Sequence, residues 1–178
     1  MNQRKPNRLK GYDYSQDDLY FITTCVKDMV CCFGDIVGTG RDLSGEPQMI
    51  LNEYGRIAEH KWVWIGEQYP YINLNDFIVM PNHIHGIIEI DSVGTGRDLS
   101  IEKSDDDQLV NQKIKSISEI IGAYKMKVSK DIHLLGYPEF TWQRSFHDHI
   151  IRDQDDYERI SHYIINNVNT WDNDRFRM

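Results

Sequence analysis

Cysteine is scarce in this chain of 178 residues, with only Cys25, Cys31 and Cys32 present. An odd count with an adjacent pair fits neither a disulfide framework nor a zinc-binding pattern. We interpret the three side chains as reduced thiols in or near strands, as is typical of cytoplasmic proteins. The sequence therefore predicts a cytoplasmic protein whose fold does not depend on cysteine cross-links.

Long apolar runs are also missing, since no stretch approaches the roughly 18 residues that a membrane-spanning helix needs. The basic residues Arg4 and Lys5 have no apolar stretch behind them, so we expect no signal peptide. Hydrophobic residues make up 40% of the chain and charged residues 27%, which is the balance of a globular protein. This length suits one domain with its own core, so we predict a single domain over residues 1–178 and no membrane partner.

Positive charge is in deficit, because 20 Lys and Arg against 28 Asp and Glu give a formal net charge of −8. This balance argues against indiscriminate nucleic-acid binding, since affinity for phosphates comes mostly from Lys and Arg. Basic residues nevertheless cluster in segments 1–12 and 113–130, and a locally basic surface is compatible with a nucleic-acid partner. A solvated helix face is the alternative for each lysine. The candidate backbone contacts are Arg4, Lys5, Arg8, Lys10, Lys113, Lys115, Lys125 and Lys127.

Hydrophobic periodicity predicts the element order β-β-α-β-β-α-β-α. Hairpins mixed with helices in this way favour an α+β fold, with a ferredoxin-like antiparallel sheet and helices packed mainly on one face. The predicted strands cover residues 19–26, 29–36, 75–80 and 83–90, and a strand-like segment covers 140–151. The predicted helices are one that opens at Pro47, one from Val110 to Val128, and a last one capped by Asp153.

An eight-residue segment, VGTGRDLS, occurs at 37–44 and again, letter for letter, at 93–100. Both copies lie in predicted strand-to-helix connections, where a phosphate-binding loop is one interpretation. The segment lacks the spacing of a GxGxxG fingerprint and the Lys-Ser/Thr ending of a P-loop, which favours polar loop insertion instead. We therefore predict loop insertions over 37–46 and 91–107, exposed and without a part in catalysis.

His83 and His85 flank Ile84 in a predicted strand, where residues two apart point to the same face. The two imidazoles are therefore held side by side, and neutral imidazoles are good ligands for divalent metals. A pair of surface or core-edge histidines is the alternative. His147 and His149 have the same spacing around a charged residue, and we predict no metal role for them.

Tyr163 and Asn167 are four residues apart on the last predicted helix and therefore share a face. That face is offset from the apolar stripe of Ile160 and Ile164, so Tyr163 need not be buried as core. A metal-polarised phosphate needs a nucleophile, and an Asn carbonyl oxygen is an acceptable ligand for Mg²⁺ or Mn²⁺. Core packing or a rim hydroxyl is the alternative role for the tyrosine.

The segment from Val79 to Ile87 (VMPNHIHGI) resembles the signature of the HUH single-tyrosine transposases. Downstream, 142–146 (WQRSF) and 150–153 (IIRD) resemble the run that precedes the tyrosine helix in one branch of that superfamily. This branch is the REP-associated tyrosine transposases, which are related to the small insertion-sequence transposases. Paired signals in this order are far more specific than two histidines alone.

The resemblance covers about residues 19–171, apart from the two repeat-bearing loops. Residues 163–168 (YIINNV) resemble the Tyr-x-x-x-Asn-Pro ending of the branch, and 20–23 (YFIT) fits its first strand. Val168 stands where the branch usually has proline. Because Asn166 and Asn167 are adjacent, two residues compete for the position of the third ligand, and the spacing from Tyr163 favours Asn167.

The resemblance implies an activity and a role for each site residue. His83, His85 and Asn167 would hold a divalent cation, Mg²⁺ or Mn²⁺, and Tyr163 would be the nucleophile. The family acts on single-stranded DNA that folds into hairpins; its tyrosine attacks a backbone phosphate, forms a 5′-phosphotyrosine and leaves a free 3′-OH. Members act as monomers or as homodimers.

Two other functions remain open at this level. The first is a ferredoxin-like nucleic-acid-binding module without catalysis, which has no use for a metal pair beside a helix tyrosine. The second is a metal-dependent nuclease in which water attacks and Tyr163 is incidental. A covalent protein–DNA adduct distinguishes the tyrosine mechanism from both.

Overall fold

A four-stranded antiparallel sheet with the strand order β4-β5-β1-β6 forms the centre of the computed structural model, which describes residues 11–38, 46–91 and 114–177. A separate two-stranded hairpin pairs β2 with β3. The predicted α+β class with an antiparallel sheet is confirmed. The strands are β1 Asp18–Cys25, β2 Gly34–Val37, β3 Gln48–Leu51, β4 Ile72–Val79, β5 His83–Ile90 and β6 His147–Ile151. The helices are α1 Glu53–Gln68, α2 Ile117–Leu134 and α3 Gln154–Ile165.

The two faces of the sheet carry different helices because side chains alternate along each strand. Ile84 and Ile88 of β5 belong to the main core, together with Trp62 of α1 and Tyr124 of α2. Ile87 points the other way and packs with Ile151, Ile160 and Ile164 in a smaller cluster beneath α3. Helices α1 and α2 therefore share one face, and the face beneath α3 is the one that carries His83 and His85.

Helix α1 begins later than predicted, because the residues after Pro47 form strand β3. Met49 pairs with Ile36 and Ile50 with Asp35 across the β2–β3 hairpin. The side chain of Asn52 then accepts hydrogen bonds from the Tyr54 and Gly55 amides, which starts the helix. The prediction that this helix opens at Pro47 was thus wrong, because strand β3 comes first.

Strand β2 is also shorter than the predicted 29–36. Residues 27–29 form a 3-10 turn in which Asp28 and Met29 have φ of 54° and 56°. The strand begins at Gly34, with φ of 139°, and a Cβ there would lie 2.1 Å from the Ile50 carbonyl oxygen. The close approach of the hairpin strands therefore requires glycine and fixes where the strand begins.

The strand-like segment predicted over 140–151 contains β6 only at its end. Trp142 makes an isolated bridge to Val26 instead of extending the strand. Helix α2 begins at Ile117, where Ser116 and Glu119 form a reciprocal capping box. The predicted start of that helix at Val110 lies outside the described residues.

The two copies of VGTGRDLS differ in their place in the fold. Val37 ends β2, so the first copy enters a strand-to-strand hairpin connection and not the predicted strand-to-helix connection. Apart from Val37 and Gly38, it lies outside the described residues, as does the whole second copy between β5 and α2. None of the helices in the described ranges combines the length and apolarity needed to cross a membrane.

Candidate active site

Two fully buried histidines face each other on the central strand β5. His83 and His85 are 0% exposed, and their Nε2 atoms are 3.0 Å apart. Strand β5 lies between β4 and β1, and the chain reaches it through the Pro81–Asn82 turn, which the hydrogen bond from the Met80 amide to the His83 carbonyl closes. The i, i+2 spacing thus places both rings on one face, as predicted.

Asn82 determines which nitrogen of His83 carries the proton. Its amide nitrogen donates to the carbonyls of Met29 and Phe176, at 3.0 and 2.8 Å, so its oxygen is the atom that faces His83 Nδ1 at 2.8 Å. An amide oxygen only accepts, hence His83 Nδ1 carries the hydrogen. The Nε2 of His83 therefore presents a lone pair towards His85.

His85 is held from two sides. The hydroxyl of Thr23, its cross-strand neighbour on β1, lies 2.8 Å from Nδ1, and the hydroxyl of Tyr163 lies 3.2 Å from Nε2. Phe21 stacks on the same ring, with centroids 5.3 Å apart. The Nε2 of His85 therefore lies where the lone pair of His83 and the phenol of α3 meet.

Both imidazoles are neutral near pH 7. Burial lowers the pKa of His83 to about 3, and the positive charge of Arg175 adds to that shift. Burial also lowers the pKa of His85, and the neighbouring His83 and Arg175 act in the same direction. Neutral imidazole is the form that binds metals.

Tyr163 approaches the histidines from α3 while part of it stays open to solvent. Its relative exposure is 36%, and its ring lies 5.1 Å from that of His85. Burial raises the pKa of its hydroxyl, as does the negative charge of Asp174, whereas Arg175 and the Asn167 side chain lower that pKa. The predicted offset from the Ile160 and Ile164 stripe agrees with this placement.

Asn167 lies just beyond the end of α3, in helical backbone conformation, so it keeps its predicted register with Tyr163. Its side chain is fully buried, and Nδ2 donates to Asp174 at 3.2 Å. Its Oδ1 has no hydrogen-bond partner among the residues that the structure describes. A buried amide oxygen without a partner is costly, and a cation is the kind of group that would compensate it.

Asp174 joins the histidines and was missed from the sequence. One ligand atom from each of His83, His85 and Asp174 lies within 4.8 Å of the others. Neutral imidazole nitrogens and a carboxylate oxygen are ligands that divalent metals accept. The residues present therefore fit a divalent metal. In the sequence, Asp174 is one acid among many a few residues beyond the end of α3, and composition alone does not single it out.

The segment after Asn167 covers the His83 side of the site. A 3-10 turn over Val168–Asn173 buries Trp171, whose ring centroid is 6.1 Å from that of His83. The Phe176 ring packs at 4.7 Å from His83, and Arg175 lies over that ring. The C-terminal segment therefore covers the histidines on this side.

The other predicted residues lie outside this group. His147 and His149 are on β6, exposed, and do not join the three possible metal ligands. Lys125 donates to the carbonyls of Gln143 and Ser145, at 2.9 and 3.2 Å, and burial lowers its pKa to about 8. Lys127 lies 4.5 Å from the Trp64 ring centroid.

Lys115 is exposed at the start of α2, with its ammonium 5.5 Å from the centroid of the Tyr69 ring. Ring contacts of this kind hold a lysine stem on the protein surface and leave its charge available. The remaining basic candidates, Arg4, Lys5, Arg8, Lys10 and Lys113, lie outside the described residues.

Comparison with known proteins finds similarity both in sequence and in fold. No protein-family model matches the chain. An uncharacterized protein of Haemophilus influenzae (strain KW20 Rd) is 32% identical over 176 residues, covering 98% of this chain and 93% of that protein. A REP-associated tyrosine transposase solved in complex with a REP hairpin aligns with a TM-score of 0.52 and 18% identity, over 90% of this chain and 71% of that one.

A Deinococcus radiodurans R1 protein of known structure aligns with a TM-score of 0.45 and 14% identity, over 89% of this chain and 95% of that one. The fold implied by the sequence resemblance is therefore confirmed by the REP-associated tyrosine transposase structure. The chain belongs to the same protein family as the uncharacterized Haemophilus influenzae protein, and its fold is that of a REP-associated tyrosine transposase.

Proposed function

We propose that this protein is a DNA transposase that cleaves and rejoins single-stranded DNA through a 5′-phosphotyrosine, with the assistance of a divalent metal. The observation that carries the proposal is the 3.2 Å contact between the Tyr163 hydroxyl and His85 Nε2, beside a buried pair of neutral histidines. Neither a binding module nor a water-dependent nuclease needs a half-exposed phenol at that point.

His83 and His85 would hold the metal, together with Asn167 or Asp174. A bound Mg²⁺ or Mn²⁺ would neutralise the non-bridging oxygens of the reacting phosphate. The protein supplies position and protonation state: Asn82 fixes the tautomer of His83, and the sheet holds both rings in place.

Tyr163 supplies the nucleophile. The phenol loses its proton, its oxygen bonds to phosphorus, and the bond from phosphorus to the 3′ oxygen breaks, so that this oxygen takes up a proton as a free 3′-OH. A second 3′-OH then attacks the phosphotyrosine and releases the phenol. The number of phosphoester bonds is unchanged in each step, so the reaction needs no nucleotide cofactor. A phenol has a pKa of about 10 and is a fair leaving group, as reversal requires.

The proposed substrate class is taken from the transposase whose fold this chain shares. The REP-associated tyrosine transposase was solved with a REP hairpin, and we propose hairpin-forming single-stranded DNA as the partner here too. The protein would act in the cytoplasm as a monomer or a homodimer. A net charge of −8 restricts DNA contact to local basic surfaces and so favours selective binding.

The test is a covalent adduct on a denaturing gel, formed with hairpin-bearing single-stranded DNA and Mn²⁺. Wild type should give an adduct, and Tyr163→Phe should give none while it still folds and binds DNA, because only one hydroxyl is lost. Tyr157→Phe is the matched control on the same helix, since its hydroxyl contacts Asn75 at 3.4 Å and not the histidines.

The alternatives give different results in the same assay. Metal-dependent cleavage without an adduct, undiminished in Tyr163→Phe, would assign the reaction to water. DNA binding with neither cleavage nor adduct would support a binding module. Normal adduct formation by Tyr163→Phe would contradict the assignment of Tyr163 as the nucleophile.

A further inference from the structure

An open cleft lies beside the exposed edge of Tyr163. Its volume is about 550 Å³, and its lining includes Phe21 of β1, His149 of β6, Arg159 of α3 and Arg175 of the C-terminal segment. Phe21 and His149 are cross-strand partners, so the floor of the cleft is the sheet face that also carries His85. Anything bound in the cleft is therefore adjacent to the Tyr163 hydroxyl.

The cleft presents positive charge on a protein that is acidic as a whole. The Arg175 guanidinium stacks over Phe176 at 4.6 Å, which orients it without neutralising it. Arg159 is 68% exposed and ion-paired with Asp156, whose carboxylate also contacts His149 Nε2 at 2.7 Å. Asp156 is only 17% exposed, against 68% for Arg159.

Among the described residues that line the cleft, the acid is Asp174, which belongs to the possible metal-ligand group. With Asp174 turned towards a cation, the two guanidiniums are what the open side of the cleft offers to a ligand. Two fixed arginines beside a nucleophile are suited to bind phosphate oxygens, since the guanidinium fork matches them geometrically.

One wall of the cleft is apolar. Phe21 and Ile160 line it beside the arginines, and Phe21 is held by its stack on His85 and by the Tyr163 ring, whose centroid is 6.2 Å away. A fixed aromatic ring next to two phosphate-binding groups matches a nucleotide strand, in which bases and phosphates alternate. An inorganic anion would use only the arginines.

We propose that this cleft binds the single-stranded DNA that flanks the phosphate attacked by Tyr163. Arg159 and Arg175 each contact a backbone phosphate, and Phe21 contacts a base. This inference rests on the proposed function and specifies which surface holds the strand. It also places the basic surface for the substrate at the cleft arginines, away from the lysines of α2.

The experiment measures binding apart from chemistry. In a Tyr163→Phe background, a fluorescein-labelled single-stranded oligonucleotide is titrated by anisotropy at several salt concentrations. Arg159→Ala and Arg175→Ala should each weaken binding by roughly tenfold, the value of one charge-assisted contact. Each should also reduce the slope of log K against log salt by about 0.7.

The controls separate charge from apolar contact. Phe21→Leu should weaken binding with the salt slope unchanged, because it removes a stacking surface and no charge. Arg159→Lys and Arg175→Lys keep the charge and should retain the slope. Arg56→Ala is the matched control, since Arg56 lies on α1, on the other face of the sheet. Thermal melting confirms that each variant is folded.

The outcomes distinguish the inference from the proposed function. DNA binding with the same affinity and slope in the cleft variants and in Arg56→Ala would overturn the cleft and leave the tyrosine mechanism intact. A wild-type protein that binds no single-stranded DNA at low salt would overturn both. Loss of affinity in the arginine variants without adduct formation by the wild type would support the cleft and overturn the mechanism.

Discussion

Asn82 organises the site although it is not one of the predicted site residues. One amide joins the turn after the first strand, the C-terminal segment and the His83 ring. The direction of that amide makes His83 Nε2 a lone-pair donor. A residue outside the group of possible metal ligands thus sets which ring nitrogen of His83 faces that group.

Metal dependence should separate the two histidine pairs. His83→Ala or His85→Ala should abolish adduct formation, because one imidazole leaves too weak a site. Asn167→Ala and Asp174→Ala keep both imidazoles, so higher Mn²⁺ should rescue them better. The measurement is adduct yield as a function of Mn²⁺ concentration.

The controls for this titration are His147→Ala and His149→Ala, exposed on β6 with the same spacing. We expect their Mn²⁺ concentration for half-maximal yield to be unchanged, even if His149→Ala alters DNA affinity. A larger shift in these two variants than in His83→Ala would mean that the wrong pair was chosen.

Lys125 makes contacts within the fold, and its predicted DNA contact stays a prediction. Its ammonium bonds two carbonyls of the 142–146 segment and lies 6.0 Å from the Trp142 ring centroid. Lys125→Met should therefore lower the free energy of unfolding by about 1.5–3 kcal/mol, the range for hydrogen bonds to a charged group. Urea denaturation measures this, with Lys127→Met as the control on the same helix.

The effect of Lys125 should depend on pH. Its pKa falls to about 8 in the folded protein, against about 10.4 when unfolded, so the unfolded state binds more protons between these values. The contribution of this lysine to stability therefore rises with pH across that window. The difference in unfolding free energy between wild type and Lys125→Met should widen from about pH 7.5 to about pH 9.5, and a constant difference would contradict the shift.

At the scale of elements, strand β5 depends on a glycine. A Cβ on Gly86 would lie 2.3 Å from Trp62 Cζ2 and 2.9 Å from Phe77 Cβ. The absence of a side chain at Gly86 therefore lets Trp62 of α1 pack directly against the strand that holds both histidines. Gly86→Ala should destabilise the protein by about 2 kcal/mol or more, as overpacking of a filled core does.

The matched substitution is Gly122→Ala on α2. A Cβ there meets nothing within 4 Å, and the helix gains a better helix former. We expect a gain of about 0.5–1 kcal/mol. Thermal melting of the two variants should therefore give shifts of opposite sign; a loss in both would mean that α2 is packed more closely than the structure indicates.

The sequence predicts elements well where periodicity and local chemistry agree. The predicted range 83–90 matches β5, and the predicted range 19–26 differs from β1 by one residue at each end. Both predictions succeeded because these are buried strands rich in β-branched residues. Strand β3 was missed because its four residues after a proline also fit the first turn of a helix. Pairing with β2, which no local pattern reports, decided the outcome.

At the scale of the whole molecule, the site is assembled from three distant segments. Thr23, the 82–85 strand start and the residues from Tyr163 to Phe176 meet only through the antiparallel sheet and the return of the C-terminal segment. Spacing predicted His83, His85, Tyr163 and Asn167 because each pair is local. Asp174 comes from the returning segment, so only the tertiary structure could place it in the group.

The repeated segment supports a last prediction about the whole chain. Val37 pairs with Gln48, and a Cβ on Gly38 would lie 3.1 Å from the Glu46 carbonyl oxygen, so these two residues belong to the hairpin and should be kept. Replacing 39–44 and 93–100 by short Gly/Ser links tests the rest as dispensable insertions. Closure entropy changes by only about 0.6 kcal/mol per doubling of loop length, which is about 2 °C for a chain of this size.

We therefore expect adduct yield like that of wild type and a melting temperature within about 2 °C of it. Single replacements of 39–44 or of 93–100 show which copy matters if only one does. A scrambled segment of the same length and composition is the matched control, because it keeps the loop lengths and removes the repeated order. Lost activity in both the shortened and the scrambled proteins, with melting unchanged, would mean that these residues contact DNA and are not passive insertions.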